Sequence, residues 1–273
     1  MACVNTATNN FLKYTENQGH RQVICLGAGY DTFMIELLKE NFENISLFEI
    51  DFVDVVVRKA AMICNKNVMN KLPVCAKSNS SNDFAIPNGY KFGNLSLLSA
   101  DLRSGDNLLQ VLSLANADQN ARTLIISECV LVYLNGNESQ RLVRSISEFF
   151  SSSLWFTYDM LNPHDSFGKT MVQNLTLSGY RVPGFLDFPS LPSQTDRFTA
   201  NGYLLAKACD MLTAFQEFVT AEELLRVNKI ERLDEVEEWN MLMQHYCITV
   251  AVHGNDHILL SIFQSIPIPY SLA

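Results

Sequence analysis

Gln22–Thr32 reads QVICLGAGYDT, and Ser46–Asp51 reads SLFEID. Each begins as a short apolar run. The first ends in Gly27-Ala28-Gly29 and the second in Glu49 and Asp51. If both runs are parallel strands joined by a helix, the glycine turn and the acidic tip lie side by side. That layout suits a ligand containing a nucleoside: glycines let backbone N–H groups approach it, and a carboxylate accepts from ribose hydroxyls. A lone G-x-G also serves as a plain turn between a strand and a helix. The acidic tip at this separation selects the ligand-binding reading.

The residues after the turn narrow the ligand. A dinucleotide fingerprint carries a third glycine for close packing of helix on strand. Here the chain continues Tyr30-Asp31-Thr32-Phe33. Asp31 falls where a helix start would otherwise meet a phosphate. A carboxylate there repels pyrophosphate and suits a cation. S-adenosylmethionine carries an ammonium and a sulfonium and no phosphate, so the pattern favours that methyl donor over NAD.

Outside these motifs, helix and strand signals alternate. Strands are expected near 22–27, 45–50, 95–100, 123–129 and 153–159, and helices near 32–40, 52–64, 104–115 and 137–150. Such alternation builds a parallel sheet with right-handed crossovers. The Ser-, Asn- and Pro-rich segment 70–92 reads as a surface loop. From Asp165 to about Arg226 the pattern turns mainly helical, with no obvious strand. An insertion there would lie over the carboxyl ends of the strands and select the substrate. YCITVAVHGNDHILLSIF then reads as two strands joined at Gly254-Asn255-Asp256. The expected fold is α/β: a Rossmann-like methyltransferase with a mostly parallel seven-stranded sheet and an antiparallel C-terminal hairpin. It forms a single domain over 1–273, with a helical substrate-recognition insertion at 165–226.

Composition agrees with a large buried core: 48% of the 273 residues are hydrophobic and 18% charged. The net charge of -9 argues against nucleic acid or an anionic membrane as the main partner. None of the seven cysteines forms a C-x-x-C pair, and Cys25 and Cys129 sit in apolar runs, as free thiols of a reducing compartment do. MACVNTATNNFLKY has no secretory apolar region, and the chain is expected to be cytoplasmic.

Three further sites carry chemistry. Ser99-Ala100-Asp101-Leu102 closes the third strand. Asp101 there suits an adenine amine and Leu102 the ring face, although an aspartate in this place is also a common helix N-cap. Leu124–Leu134 reads LIISECVLVYL, and Glu128 is a charge within it that needs a partner, for which a cationic ligand group is suited. Tyr133 either lines the methyl-transfer channel or packs in the core. His253 and His257 flank the expected hairpin turn, so their spacing of four does not put them on one helix face, where it binds metal. No catalytic residue and no metal ligand is assigned.

LGAGYDT, FEIDF followed by VVVRKA, SADLR and SECVLVYL resemble the leucine carboxyl methyltransferases. The similarity continues through TYDMLNPHDSFGKTMVQNL, RFTANGY and LDEVEEWNMLMQHYCITVA, and spans about residues 20–252. By this resemblance the substrate is the C-terminal leucine carboxylate of the protein phosphatase 2A catalytic subunit and the cofactor is S-adenosyl-L-methionine. Gly27, Asp51, Asp101 with Leu102, and Glu128 are then cofactor contacts. The motif reading adds Gly29, and Tyr133 faces the substrate. Arg181 and Arg197, within the insertion, are candidates for the acceptor carboxylate, against the simpler reading of solvated surface arginines. Family members also carry an arginine and a lysine ahead of the first strand that reach the cofactor carboxylate, whereas here no Arg or Lys precedes Lys13. A shortened form, a substitute cation or weaker cofactor binding would follow. The missing contact is expected to cost about 1.5–3 kcal/mol, roughly tenfold to hundredfold in affinity. The alternatives are a methyltransferase for a different carboxylate and a non-catalytic phosphatase-binding homologue.

Overall fold

The run Arg21–Leu26 (β1) is buried along nearly its whole length because helices cover both faces of the sheet it joins. The computed structural model describes residues 2–40, 42–65, 84–231 and 233–269. β1 pairs in parallel with Ile45–Asp51 (β2) on one side and Arg122–Glu128 (β6) on the other. The chain therefore reverses its direction of travel across the sheet at β1, which opens a crevice at the carboxyl ends of these strands. Ala85–Ile86 (β3), Gly89–Phe92 (β4), Leu95–Ser99 (β5), Ser153–Met160 (β7), Leu205–Asp210 (β8) and Tyr246–His253 (β9) complete a sheet in the order β3-β4-β5-β2-β1-β6-β7-β9-β8.

Helices Ala2–Tyr14 (α1), Phe33–Lys39 (α2) and Val53–Ile63 (α3) lie on one face. They bury Phe11, Met34 and Val56 in a core shared with Val23, Leu47 and Leu124. Gly105–Leu114 (α4) and Gly136–Phe149 (α5) cover the other face, with Leu108 and Leu142 packed among Ile24, Phe48 and Trp155. The start of α5 is set locally. The Asn135 side chain accepts from Glu138 N–H, and Glu138 Oε2 accepts from Asn135 N–H at 3.0 Å.

The five expected parallel strands and four helices are found with ends shifted by a residue or two. Three expectations are corrected. First, β3 and β4 are two antiparallel strands that were not expected, in a sheet of nine where seven were expected. They occupy 85–92, within the expected surface loop, whose part at 66–83 lies outside the described residues.

Second, the C-terminal hairpin is not one. Asp256 accepts from Ile258 and Leu259 N–H, and His257–Ser265 (α12) is a helix burying Leu259, Ile262 and Phe263. Those apolar positions recur at helical spacing, and the aspartate caps them. Third, the region 165–226 contains a strand. Ser166–Leu177 (α6), Pro183–Asp187 (α7) and Leu191–Thr199 (α8) lead into β8, which supplies the antiparallel partner of β9. Lys207 interrupts the apolar run of β8, yet it is buried and its Nζ donates to the Ile266 carbonyl at 2.7 Å.

Register gives the direction of each excursion. Met160 pairs with Tyr246, and Asp210 with Cys247, so β7 and β8 both end at the crevice side of the sheet. Residues 161–204 leave that side and cross back through α8, and 211–245 leave it again through Met211–Phe218 (α9), Ala221–Ile230 (α10) and Val236–Met243 (α11).

Candidate functional site

At the end of β1 the chain turns on Gly27 and Gly29, both left-handed at φ +62° and +52°. A Cβ on Gly27 would lie 2.6 Å from Val130 Cγ2, so glycine is required both by the backbone and by the approach of the next strand's loop. The N–H of Gly29 donates to Asp51 Oδ2 at 2.7 Å, and that of Phe52 to Oδ1 at 2.7 Å. The glycine turn and the acidic tip expected from the sequence thus meet directly.

Gly27, Asp51, Asp101, Leu102 and Tyr133 line one cleft of about 400 Å³. Glu128 lines a second of about 230 Å³ with Asp31 and Glu49, and Gly27 borders both. The two cavities therefore flank the glycine turn, and the sequence-expected residues gather around it.

Several details differ from expectation. Asp101 is not a helix cap: Ser104 takes that role for α4, accepting from Asn107 N–H. Instead Arg103 forks onto the Asp101 carboxylate, Nε to Oδ1 at 2.9 Å and Nη2 to Oδ2 at 2.6 Å, and holds it below the usual carboxylate range. Glu128 is not buried. It stands at the strand tip, beyond the helices that cover β6, and is exposed to the crevice. Partial desolvation, helped by nearby Asp31, raises its carboxyl. Tyr133 closes a 3-10 turn over Leu131–Tyr133 and is 48% exposed, which excludes the core reading.

Glu49, in the wall of the second cavity, is ion-paired behind it. Lys59 Nζ lies 2.6 Å from Glu49 Oε2 and donates to the Asp31 carbonyl at 2.6 Å. Burial pushes Glu49 up to about 7 against the pull of Lys59, with Asp31 and Asp51 adding to the rise. Lys59 thus offsets Glu49, and the carboxylates that remain on the two sides of the turn are Asp51 on one and Asp31 with Glu128 on the other.

The two candidate arginines separate. Arg181 lines the larger cleft and is exposed. Arg197 is 1% exposed, with Nη1 at 3.3 Å from Asp159 Oδ2 and its guanidinium 3.8 Å from the Phe188 ring centre. It braces α8 against β7 and is not open to a substrate. His253 Nδ1 is 2.7 Å from the Gly202 carbonyl, and His257 begins α12.

Sequence reasoning missed Phe52, Arg103 and Cys129 in the cleft wall. Phe52 directly follows Asp51 and is 58% exposed, a signal only once the strand end is known. Cys129 has φ +52°, a strained conformation for a residue with a Cβ, and no sequence pattern announces it.

Comparison with known proteins supports the same reading. The family model for leucine carboxyl methyltransferase matches residues 1–147. The leucine carboxyl methyltransferase 1 homolog of Arabidopsis thaliana is 36% identical over 234 residues, 85% of this chain and 69% of that protein. Leucine carboxyl methyltransferase 1 of Bos taurus is 33% identical over 257 residues, 93% of this chain and 76% of that protein. Among solved structures, Haemonchus contortus phosphoethanolamine N-methyltransferase 2 in complex with S-adenosyl-L-methionine is similar, with a TM-score of 0.51 and 9% identity. That similarity covers 92% of this chain and 53% of the other, and at such identity it speaks for the fold. A methyltransferase sheet, a glycine turn clamped to Asp51 and relatives matched along most of their length lead to one conclusion: the chain belongs to the leucine carboxyl methyltransferase family.

Proposed function

We propose that this chain transfers the methyl group of S-adenosylmethionine to the C-terminal leucine α-carboxylate of the protein phosphatase 2A catalytic subunit. The observation that carries the cofactor reading is the acidic crevice around Gly27, with Asp51 held by Gly29 on one side and Asp31 and Glu128 on the other. A pyrophosphate would be repelled there, and a ligand bearing an ammonium is accommodated. Asp51 would accept from the ribose hydroxyls, Leu102 would pack on the adenine, and Glu128 would receive the ammonium. When bound, S-adenosylmethionine supplies an electrophilic methyl group.

The remaining work falls to positioning. A C-terminal carboxylate has a pKa of about 3.5, so it is ionised at neutral pH and needs no general base. The Tyr133 hydroxyl is a hydrogen-bond donor at neutral pH, as a tyrosine ordinarily is, and desolvation, with Cys129, Tyr180 and Asp159 nearby, raises its pKa further. Holding the acceptor in line and excluding water then account for the acceleration. The phosphatase is suggested by the family resemblance, and the segment 165–226 is the part of the chain we assign to recognising it. We place the reaction in the cytoplasm. Among the described residues, no helix is long and apolar enough to cross a membrane.

The test is to incubate labelled methyl donor with the chain and either intact phosphatase catalytic subunit or the same subunit lacking its terminal leucine. Label on the intact subunit alone is expected. Label on both would refute methylation of the terminal carboxylate. Label on small carboxylic acids but not on the phosphatase would favour a different acceptor. Cofactor binding with no transfer to any acceptor would favour a non-catalytic phosphatase-binding role.

A further inference from the structure

An acceptor carboxylate entering the crevice meets an acidic wall. Asp51 and Asp101 line the larger cleft, and Glu128 and Asp31 line the adjoining one. An anion brought into that field without a cation is repelled and loses hydration. Among the described residues, two cationic side chains line the larger cleft, Arg103 and Arg181. Arg103 is engaged by Asp101 through both Nε and Nη2. Arg181 forms no hydrogen bond or ion pair with the described residues.

The chain beside Arg181 is nevertheless firmly seated. Val182 is buried with Val132, Met160 and Phe185 in a small apolar cluster above the crevice. Gly184 rests on the turn that carries Tyr133, so closely that a Cβ would lie 2.3 Å from the Leu131 carbonyl oxygen. Asp187 Oδ2 accepts from Gly136 N–H at 2.7 Å, which fastens the far end of α7 to the start of α5. An unpaired guanidinium is thus mounted on a braced backbone beside Tyr133, at the rim of the cleft that contains the glycine turn.

We propose that Arg181 is the residue that captures the acceptor carboxylate and selects a free acid over a neutral chain end; this rests on the methyl-transfer reading above. A guanidinium presents paired donors that match a carboxylate. In the transfer, one carboxylate oxygen forms the new O–C bond as the methyl–sulfur bond breaks, the sulfonium charge is cancelled and no proton moves. The product is a neutral ester, so Arg181 loses its anionic partner at that moment. The same residue then favours substrate entry and product departure.

The test compares the chain with Arg181→Gln and Arg181→Lys, each saturated with S-adenosylhomocysteine. Calorimetry measures binding of two capped peptides with the phosphatase tail sequence, one ending in a free carboxylate and one in a carboxamide. The unaltered chain is expected to prefer the acid by about tenfold to hundredfold. Arg181→Gln should lose that preference, and Arg181→Lys should keep part of it. Thermal stability should stay unchanged in both, because the side chain is exposed and unpaired among the described residues; a loss of S-adenosylhomocysteine affinity in Arg181→Gln would assign the guanidinium to the cofactor carboxylate and overturn the inference. A preference for the acid retained by Arg181→Gln would overturn the inference while leaving the methyl-transfer reading standing. Equal binding of acid and amide by the unaltered chain would also overturn the inference, whereas the methyl-transfer reading fails only if intact phosphatase takes no label.

Discussion

Gly27 and Gly29 differ by one neighbour, and that difference is measurable. Both are left-handed, but space lies open around Gly29 whereas Gly27 abuts Val130. Gly29→Ala should cost about 1–2 kcal/mol through backbone strain alone. Gly27→Ala should cost about 1–3 kcal/mol more, because Val130 must move. Denaturant unfolding of the two variants checks the order. Asp51→Ala should weaken S-adenosylmethionine binding by about 1–3 kcal/mol with a smaller effect on unfolding, since the carboxylate lies at a partly open strand tip. Equal calorimetric affinity of variant and parent would show that the ribose is held elsewhere. These residues were legible because each stands where an apolar run stops. Arg103 was not, since nothing in SADLR tells whether an arginine two residues on turns back onto the aspartate or out to solvent.

Between elements, two buried ion pairs join helix to strand, with different consequences. Lys59 ties α3 to β2 through Glu49, whose carboxyl titrates at about 7 in the fold against 4.5 ordinarily. Between those values the folded chain binds the proton more tightly than the unfolded chain does, so this group's contribution to stability falls as pH rises from about 4.5 to 7. Glu49→Gln should flatten that part of the stability–pH profile, whatever it does to absolute stability by leaving Lys59 without its partner charge. An unchanged slope in urea unfolding across the window would refute the assignment. Arg197→Met, which leaves Asp159 buried and unpaired, should cost about 3–5 kcal/mol of stability. The elements themselves were legible in proportion to their regularity. The parallel strands are continuous apolar runs bounded by turns, and they were found. β8 escaped notice because Lys207 interrupts it, and α12 was taken for a strand because HILLSIF satisfies both a short apolar strand and a buried helical stripe, which only the Asp256 cap distinguishes.

Across the whole molecule, the sheet presents its crevice where β1 separates β2 from β6, and two excursions rise from the same edge, 161–204 and 211–245. A surface built from such extended segments suits a folded partner better than a loose peptide. A free tail buries little area and must be ordered on binding. Intact phosphatase catalytic subunit should therefore be methylated with a far higher kcat/KM than a peptide of its tail, and steady-state kinetics on the two substrates checks this. The segment 165–226 overlaps most of the first excursion and the start of the second. The division into two excursions was not legible because β8 returns the chain to the sheet between them, a tertiary pairing with β9 that no local pattern contains.

The two excursions are joined at their roots. Leu161 N–H donates to the His245 carbonyl at 2.8 Å, Asn162 Nδ2 donates to the Gln244 carbonyl at 2.9 Å, and His245 Nε2 lies 2.9 Å from Asp165 Oδ1. α10 and α11, by contrast, bury no residue. Breathing of this upper layer is then confined to its outer helices while its base stays closed. In deuterated solvent, the amides of Leu161 and Asn162 should exchange slowly and those of 221–230 and 236–243 quickly, with the boundary between the two rates falling just ahead of His245.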